Sequence, residues 1–233
     1  MTTDISPAVD GRRARRERGR SAVSEAMIDL VFEGNIPPTA EQITERAGVS
    51  IASLFRYFET LDELRRETTD LYFDRYAHLF DIAAIGEGTL DERIGNFVGS
   101  RATLYELTEP MCRLVRVRAN EVVEVHDLLH LTRATRADQI RQHFDHEFGK
   151  LPPAVGDDVT SIIATLTSFE SWDQMCHDHH RSHQQARRAW TTTISRVLEP
   201  THAATPPAKE LGVVPGTTSN SVGEAAGEAG AHE

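Results

Sequence analysis

The chain has 233 residues, 39% of them hydrophobic and 26% charged, with a formal net charge of −11. This is enough apolar content to bury a core, and the acidic balance excludes a uniformly basic coat for nucleic acid while leaving room for a local basic patch. No apolar run approaches the ~20 residues of a membrane span, the basic start lacks the apolar stretch of a secretory leader, and Cys112 and Cys176 suit reduced thiols in a cytoplasmic chain rather than a disulfide framework.

In chain order, "GRRARRERGR" places Arg12, Arg13, Arg15, Arg16, Arg18 and Arg20 together. Such a run is either a solvated arm or, directly ahead of a DNA-reading motif, an arm that pairs with phosphates or enters a narrow minor groove. Residues 1–15 are expected to be a disordered basic arm. Val23, Ala26, Met27, Leu30 and Val31 then follow the spacing of an amphipathic helix, which stops near Gly34-Asn35, with Pro37-Pro38 beyond. Leu61, Leu64, Leu71, Tyr72, Tyr76, Leu79 and Phe80 mark a long helix ending before Gly86 and Gly88. Further helices are expected over about 90–107, 110–125 and 126–148, with boundaries good to a few residues. After Leu151-Pro152-Pro153, Ile162, Leu166, Phe169 and Trp172 mark another helix, and Ala186, Trp190, Ile194 and Val197 the last. No period-2 pattern competes, so the chain reads as all-α with about nine helices. From Pro200 onward, residues 200–233 are rich in Pro, Gly, Ala, Ser and Thr and lack large aromatics. They are expected to be a disordered tail.

The segment "TAEQITERAGVSIASLFRYFETLDEL", residues 39–64, carries the densest local information. Thr39 with Gln42 fits a capping box, and Ile43 and Ala47 point a short helix inward. Gly48 suits the left-handed turn that ends it. Ser50 caps a second short helix carrying Leu54, Phe55 and Phe58, and Thr60 with Glu63 reads as a further capping box. Two short helices joined by a tight glycine-containing turn describe a helix-turn-helix. Its second helix has to fit a major groove about 12 Å wide, which limits its length.

"AGVSIASLFRYFETLDEL", after "TAEQITER" and behind an amphipathic helix, resembles the DNA-binding domain of the TetR family of transcriptional regulators, over about residues 16–64. The resemblance implies a three-helix helix-turn-helix domain at 16–65 and a helical ligand-binding and dimerisation domain at 66–199. It places Ile51, Ala52 and Ser53 at the base-facing start of the recognition helix. There Ile51 and Ala52 would touch thymine methyl groups and Ser53 a base edge. Ser50 begins that helix, and Thr39, Arg56, Tyr57 and the amides near Thr60 match phosphate-facing positions. Arg12, Arg13, Arg15 and Arg16 complete the expected DNA surface. Two departures from the family pattern stand out. Phe55 replaces the usual Tyr and is read as core, and Leu61 replaces the usual Lys, removing a phosphate contact.

The same resemblance implies a homodimer that reads a double-stranded pseudo-palindromic operator, as a repressor released or recruited by a small effector. The dimer would form through the last two long helices, at about 153–179 and 182–199, with Ser161, Ala164 and Ser168 allowing close approach. The effector is expected to be hydrophobic or amphipathic, and Phe97, Tyr105, Met111, Leu114, Trp172 and Met175 are candidate lining residues. No cofactor and no metal is expected. His177, His179, His180 and His183 cluster around Cys176, but Ser182 with Gln185 reads as a capping box, so the cluster straddles a turn rather than forming a closed ligand set. His126 with His130 reads as a surface pair, and 143–147 as a polar helical face. The sequence has no HExxH, no Gly-rich phosphate loop and no GxSxG, and an enzyme is not expected. The competing reading is an architectural module that keeps the headpiece without selecting sequence.

Overall fold

The computed structural model describes residues 7–199; residues 1–6 of the expected arm and the whole expected tail at 200–233 lie outside the described residues. Among the described residues there are ten α-helices and no strand: α1 Pro7–Phe32, α2 Ala40–Ala47, α3 Ile51–Tyr57, α4 Leu61–Tyr76, α5 Leu90–Ala119, α6 Val123–His143, α7 Asp145–Phe148, α8 Pro153–Leu166, α9 Phe169–Asp173 and α10 His183–Leu198. The expected all-α architecture is present, an N-terminal helix-turn-helix followed by a helical body.

The first correction concerns the arm. Residues 7–15 are not irregular but form the first turns of α1. Pro7 sits at the helix start, where its missing N–H costs nothing, and the Arg, Ala and Glu that follow are good helix formers.

Helix α1 has two buried faces. Val23, Met27 and Leu30 pack with Ile43, Leu54, Phe58 and Leu64 to make the core of the helix-turn-helix. Ile28 and Val31, on the adjacent face, pack with Tyr72 of α4 and with Met111 and Leu114 of α5. The expected long helix after Thr60 ends as α helix at Tyr76 and tightens into a 3-10 turn over Ala77–Leu79.

The expected break between Leu107 and Pro110 is a kink, since α5 runs through Pro110 and only Thr108 (φ −127°, ψ 15°) leaves helical geometry. A proline lacks the N–H and crowds the preceding turn. The Thr108 hydroxyl donates to the Leu104 carbonyl one turn back, at 2.7 Å. The main core lies between α5, α6, α8, α9 and α10 and is aromatic at its centre: Tyr105, Phe169, Trp172 and Trp190 meet edge-on or tilted at 5.4–6.3 Å between ring centroids.

His143 corrects the reading of 143–147 as a polar face. It is buried, its Nδ1 accepts from the Gly86 amide at 3.1 Å, and its Nε2 lies 2.8 Å from the Arg93 carbonyl. An amide donor on one nitrogen and a carbonyl acceptor on the other fix the neutral tautomer with hydrogen on Nε2. Burial pushes its pKa down from the ordinary value, in the same sense. Glu147, in the same stretch, is buried against Arg93.

The expected helix over 153–179 is also interrupted. Helix α8 stops at Leu166, and the Thr167 hydroxyl turns back to the Ile163 carbonyl at 2.8 Å. Ser168 then caps α9, accepting from the Ser171 amide at 3.1 Å. Gln174–Asp178 widens into a π turn and His180 adopts a left-handed φ of 51°. Ser168 is therefore a cap between two helices and does not share a helical stripe with Ser161 and Ala164. The Ser182–Gln185 capping box predicted for the last helix is present in both halves.

Candidate nucleic-acid interface

The Thr39 capping box is complete: its hydroxyl accepts from the Gln42 amide and the Gln42 side chain accepts from the Thr39 amide. Gly48 ends α2 in left-handed geometry (φ 65°), which glycine adopts without the strain a Cβ would bring. Ser50 caps α3 by accepting from the Ser53 amide at 3.1 Å. These caps hold two short helices at a fixed angle with few residues between them.

Leu54 and Phe58, one turn apart, bury one side of α3 and anchor it to α1. The opposite side is solvent-facing, and Ile51 is 40% and Phe55 48% exposed. This corrects the sequence reading of Phe55 as core. With positions 54 and 58 taking the inward direction, a residue one step on is turned ~100° away. The outer face of α3 is formed by Ile51, Ala52, Phe55 and Arg56.

Ser53 is partly exposed, and its oxygen receives hydrogen bonds from the Ser50 hydroxyl at 3.1 Å and from Arg56 Nη2 at 3.0 Å. With both acceptor positions taken, its own O–H is left to donate outward. The Thr60 hydroxyl accepts from the Glu63 amide at 3.1 Å, but the Glu63 carboxylate reaches the Glu59 amide at 2.7 Å instead of Thr60. Half of the expected capping box is present.

Arg13, Arg15 and Arg16 are exposed on α1, and among the described residues they make no ion pair with a carboxylate. Arg12 lies on the same helix, with its side chain outside the described set.

Two residues that matter here were not selected from sequence. Arg20 does not join the exposed arginines. Its guanidinium donates to the Tyr57 carbonyl, to Glu63 Oε1 at 3.0 Å and to Glu67 Oε2 through Nε at 3.0 Å, and lies 4.3 Å over the Phe58 ring. It joins α1 to the end of α3 and the start of α4. Its spacing to Val23 and Met27 (i+3, i+7) is the signal that placed it on the inward stripe.

Gly19 is the second. A Cβ built there would meet Cζ of Tyr57 at 2.4 Å and its Oη at 2.6 Å, so the Tyr57 ring lies directly on α1. Gly19→Ala is expected to displace that ring at little cost in stability, because the obstructing atoms are the far end of a side chain. Helix propensity even favours Ala by about 1 kcal/mol. The expected result is an unchanged or raised urea midpoint together with a roughly fivefold loss of DNA affinity by fluorescence anisotropy, the size of one phosphate hydrogen bond.

The remaining candidates fall as follows. Phe97, Tyr105 and Trp172 are fully buried in the main core, and Met111 and Leu114 in the core shared with α1 and α4, while Met175 is half-buried. A surface concavity of about 600 Å³ lies elsewhere, between Arg116, Leu166, Phe169, Glu170 and Gln174. Burial would raise the Glu170 carboxyl, but the hydrogen bonds and charge of Arg116, joined by Arg133, hold it at about 2.

Of the histidine cluster, His177 Nε2 lies 2.8 Å from Glu109 and 3.8 Å from Asp173, and those two carboxylates also bind Arg113 at 3.1 and 2.6 Å. The guanidinium already offsets one of their two charges. His183 stacks 5.0 Å from Trp172, and His126 and His130 face each other at 3.1 Å on the exposed side of α6.

No family model matches the chain. Over 55 residues, 23% of its length, it is 42% identical to uncharacterised HTH-type transcriptional regulators of Mycobacterium tuberculosis and of Mycobacterium bovis. That match spans 28% of those relatives. In three dimensions the chain is similar to a transcriptional regulator from Rhodococcus sp. Rha1, with a TM-score of 0.56 and 16% identity over 78% of this chain and 95% of that one. The structural likeness establishes the fold, and the sequence likeness is to regulators of the helix-turn-helix type. No helix among the described residues is long and apolar enough to cross a membrane.

Proposed function

We propose that the protein is a cytoplasmic, TetR-like transcriptional repressor that binds a pseudo-palindromic operator as a homodimer and responds to a small apolar or amphipathic effector. The observation that carries this reading is the outer face of α3. A short helix capped by Ser50 presents Ile51, Ala52, Phe55 and Arg56 to solvent, with Ser53 ready to donate, and α1, which packs against it, carries exposed arginines. Apolar side chains meet thymine methyls, a hydroxyl donor meets base acceptors, and arginines meet phosphates. So apolar a reading face leaves much of the affinity to backbone contacts, which makes binding steeply salt-dependent.

The dimer reading draws support from α8, where Val155 and Ile162 are exposed on one side of a helix near the chain's last helices, Ile162 to 52%. Ile162→Glu is expected to convert a dimer into a monomer in sedimentation velocity. Because two half-sites are read together, it should also weaken operator binding by more than tenfold.

The test of the function is selection and sequencing of genomic fragments bound by the purified protein at near-physiological salt, with Arg56→Ala as control. An enriched inverted repeat that disappears in the control supports the reading. Equal retention of all sequences would instead indicate an architectural protein.

A further inference from the structure

Helix α5 carries Arg93, Phe97, Arg101 and Tyr105 at i, i+4 spacing, and all four are buried. The two arginines differ in their partners. Arg93 donates to Glu147 at 2.5 Å and to the Gly88 carbonyl at 2.7 Å, so its charge is compensated. Arg101, two turns on and 1% exposed, pairs with no carboxylate among the described residues. Its Nη2 donates to Gln139 Oε1 at 2.6 Å, the Phe97 ring lies 5.4 Å beneath it, and Nη1 is buried without an acceptor.

A second guanidinium adjoins it. Arg136 of α6 donates to the Tyr105 hydroxyl at 2.9 Å, lies 5.4 Å over the same ring, and has its Nε buried without an acceptor. It too forms no ion pair with a carboxylate among the described residues. Burial, reinforced by the neighbouring charge of Arg136, pushes Arg101 down to about 10.

Two positive charges on one aromatic interior, with donors unused and no acid between them, are costly to the apo fold. An apolar pair of similar volume would pack there without that cost. What the arrangement lacks is an anion.

We propose that Arg101 and Arg136 are the anchor for the carboxylate of an amphipathic organic acid, whose apolar part packs against the aromatic side chains of Phe97 and Tyr105. This deepens the effector reading above and rests on it. The site also has a physical route to the headpiece. Gln139, which accepts from Arg101, donates through Nε2 to the Phe80 carbonyl at 3.0 Å. Phe80 directly follows the 3-10 turn that extends α4 out of the helix-turn-helix. A carboxylate that takes over Arg101 releases the Gln139 oxygen and so loosens the tie on the end of α4.

The test is thermal unfolding of the full chain with octanoate and benzoate, compared at equal ionic strength with octanamide and benzamide. The expected result is a raised midpoint with the two acids and none with the amides, because only a ligand bound to the folded state stabilises it. Arg101→Met is expected to abolish the response while raising the ligand-free midpoint, and Arg101→Lys to keep part of the response. Equal shifts with acids and amides, no shift with either, or a full response in Arg101→Met would overturn the proposal. Should Arg101→Met fold poorly, Arg136→Gln at the less buried position is expected to weaken the acid response severalfold, and an unchanged response there overturns it equally. Operator selection on the same preparations separates the two readings. A chain that selects DNA without preferring acids loses only this inference, and one that prefers acids without selecting DNA loses only the regulator.

Discussion

Phe55→Glu is expected to weaken operator binding by about two orders of magnitude while leaving the unfolding free energy from urea titration within ~0.5 kcal/mol of the parent. The side chain is half-exposed on the outer face of α3 and contributes nothing to the core held by Leu54 and Phe58. Folding therefore has little to lose. Binding has much to lose, because a carboxylate at this position would approach the phosphate backbone. Juxtaposed like charges at an interface cost several kcal/mol, and in a dimer the substitution appears twice. Phe55→Leu, which keeps an apolar contact, should bind within a few-fold of the parent. Fluorescence anisotropy on the selected operator measures both. An undiminished affinity for Phe55→Glu would remove α3 from the interface.

Arg20→Ala is expected to lower stability and DNA affinity together. The guanidinium supplies a charge-assisted hydrogen bond to the Tyr57 carbonyl, contacts to Glu63 and Glu67, and a face against Phe58. Its carboxylate partners are about a third exposed, at 33% and 35%, so solvent screens part of the loss. The bond to a backbone carbonyl and the stacked ring are less screened, and together they place the cost at about 2 kcal/mol. Arg20→Lys should recover less than half of it, since a single ammonium does not span three acceptors in a planar fork. Arg56→Ala serves as the counterpart, with weakened DNA binding at an unchanged urea midpoint. If Arg20→Ala followed that second pattern, Arg20 would be a phosphate contact and not the tie between α1, α3 and α4.

The parts of this chain that were legible in its sequence are those written in local chemistry. Thr39 with Gln42, Gly48, Ser50 and Ser182 with Gln185 each satisfy or end a helix through atoms a few residues away, and each does so in the structure. The helix-turn-helix follows from them. What escaped depends on which way a side chain turns. Phe55 is aromatic next to an inward leucine, and only the register of Leu54 and Phe58 shows that it faces outward. Arg20 ends a run of arginines yet belongs to the apolar stripe of α1.

His143 was hidden for the opposite reason. A titratable residue among polar neighbours is buried because two backbone groups distant in sequence, at Gly86 and Arg93, claim its nitrogens. Ser168 looked like a small residue on a long helix, but its hydroxyl competes for a backbone amide and starts a new one. The unpaired state of Arg101 has no sequence signature at all, because the neighbouring helices do carry acids, among them Asp138 and Glu170, and only the fold shows that none of the described ones pairs with it.

The double-sided packing of α1 has a thermodynamic consequence. Ile28 and Val31 are sealed by Tyr72, Met111 and Leu114, on the flank adjacent to the side chains that complete the headpiece core. Cutting the chain after α4 begins would leave that flank bare to water. The helix-turn-helix is therefore not expected to fold on its own, and a single cooperative unfolding transition is expected for the two halves. Any rearrangement of α5 changes the footing of α1 directly, with no flexible joint in between to absorb it.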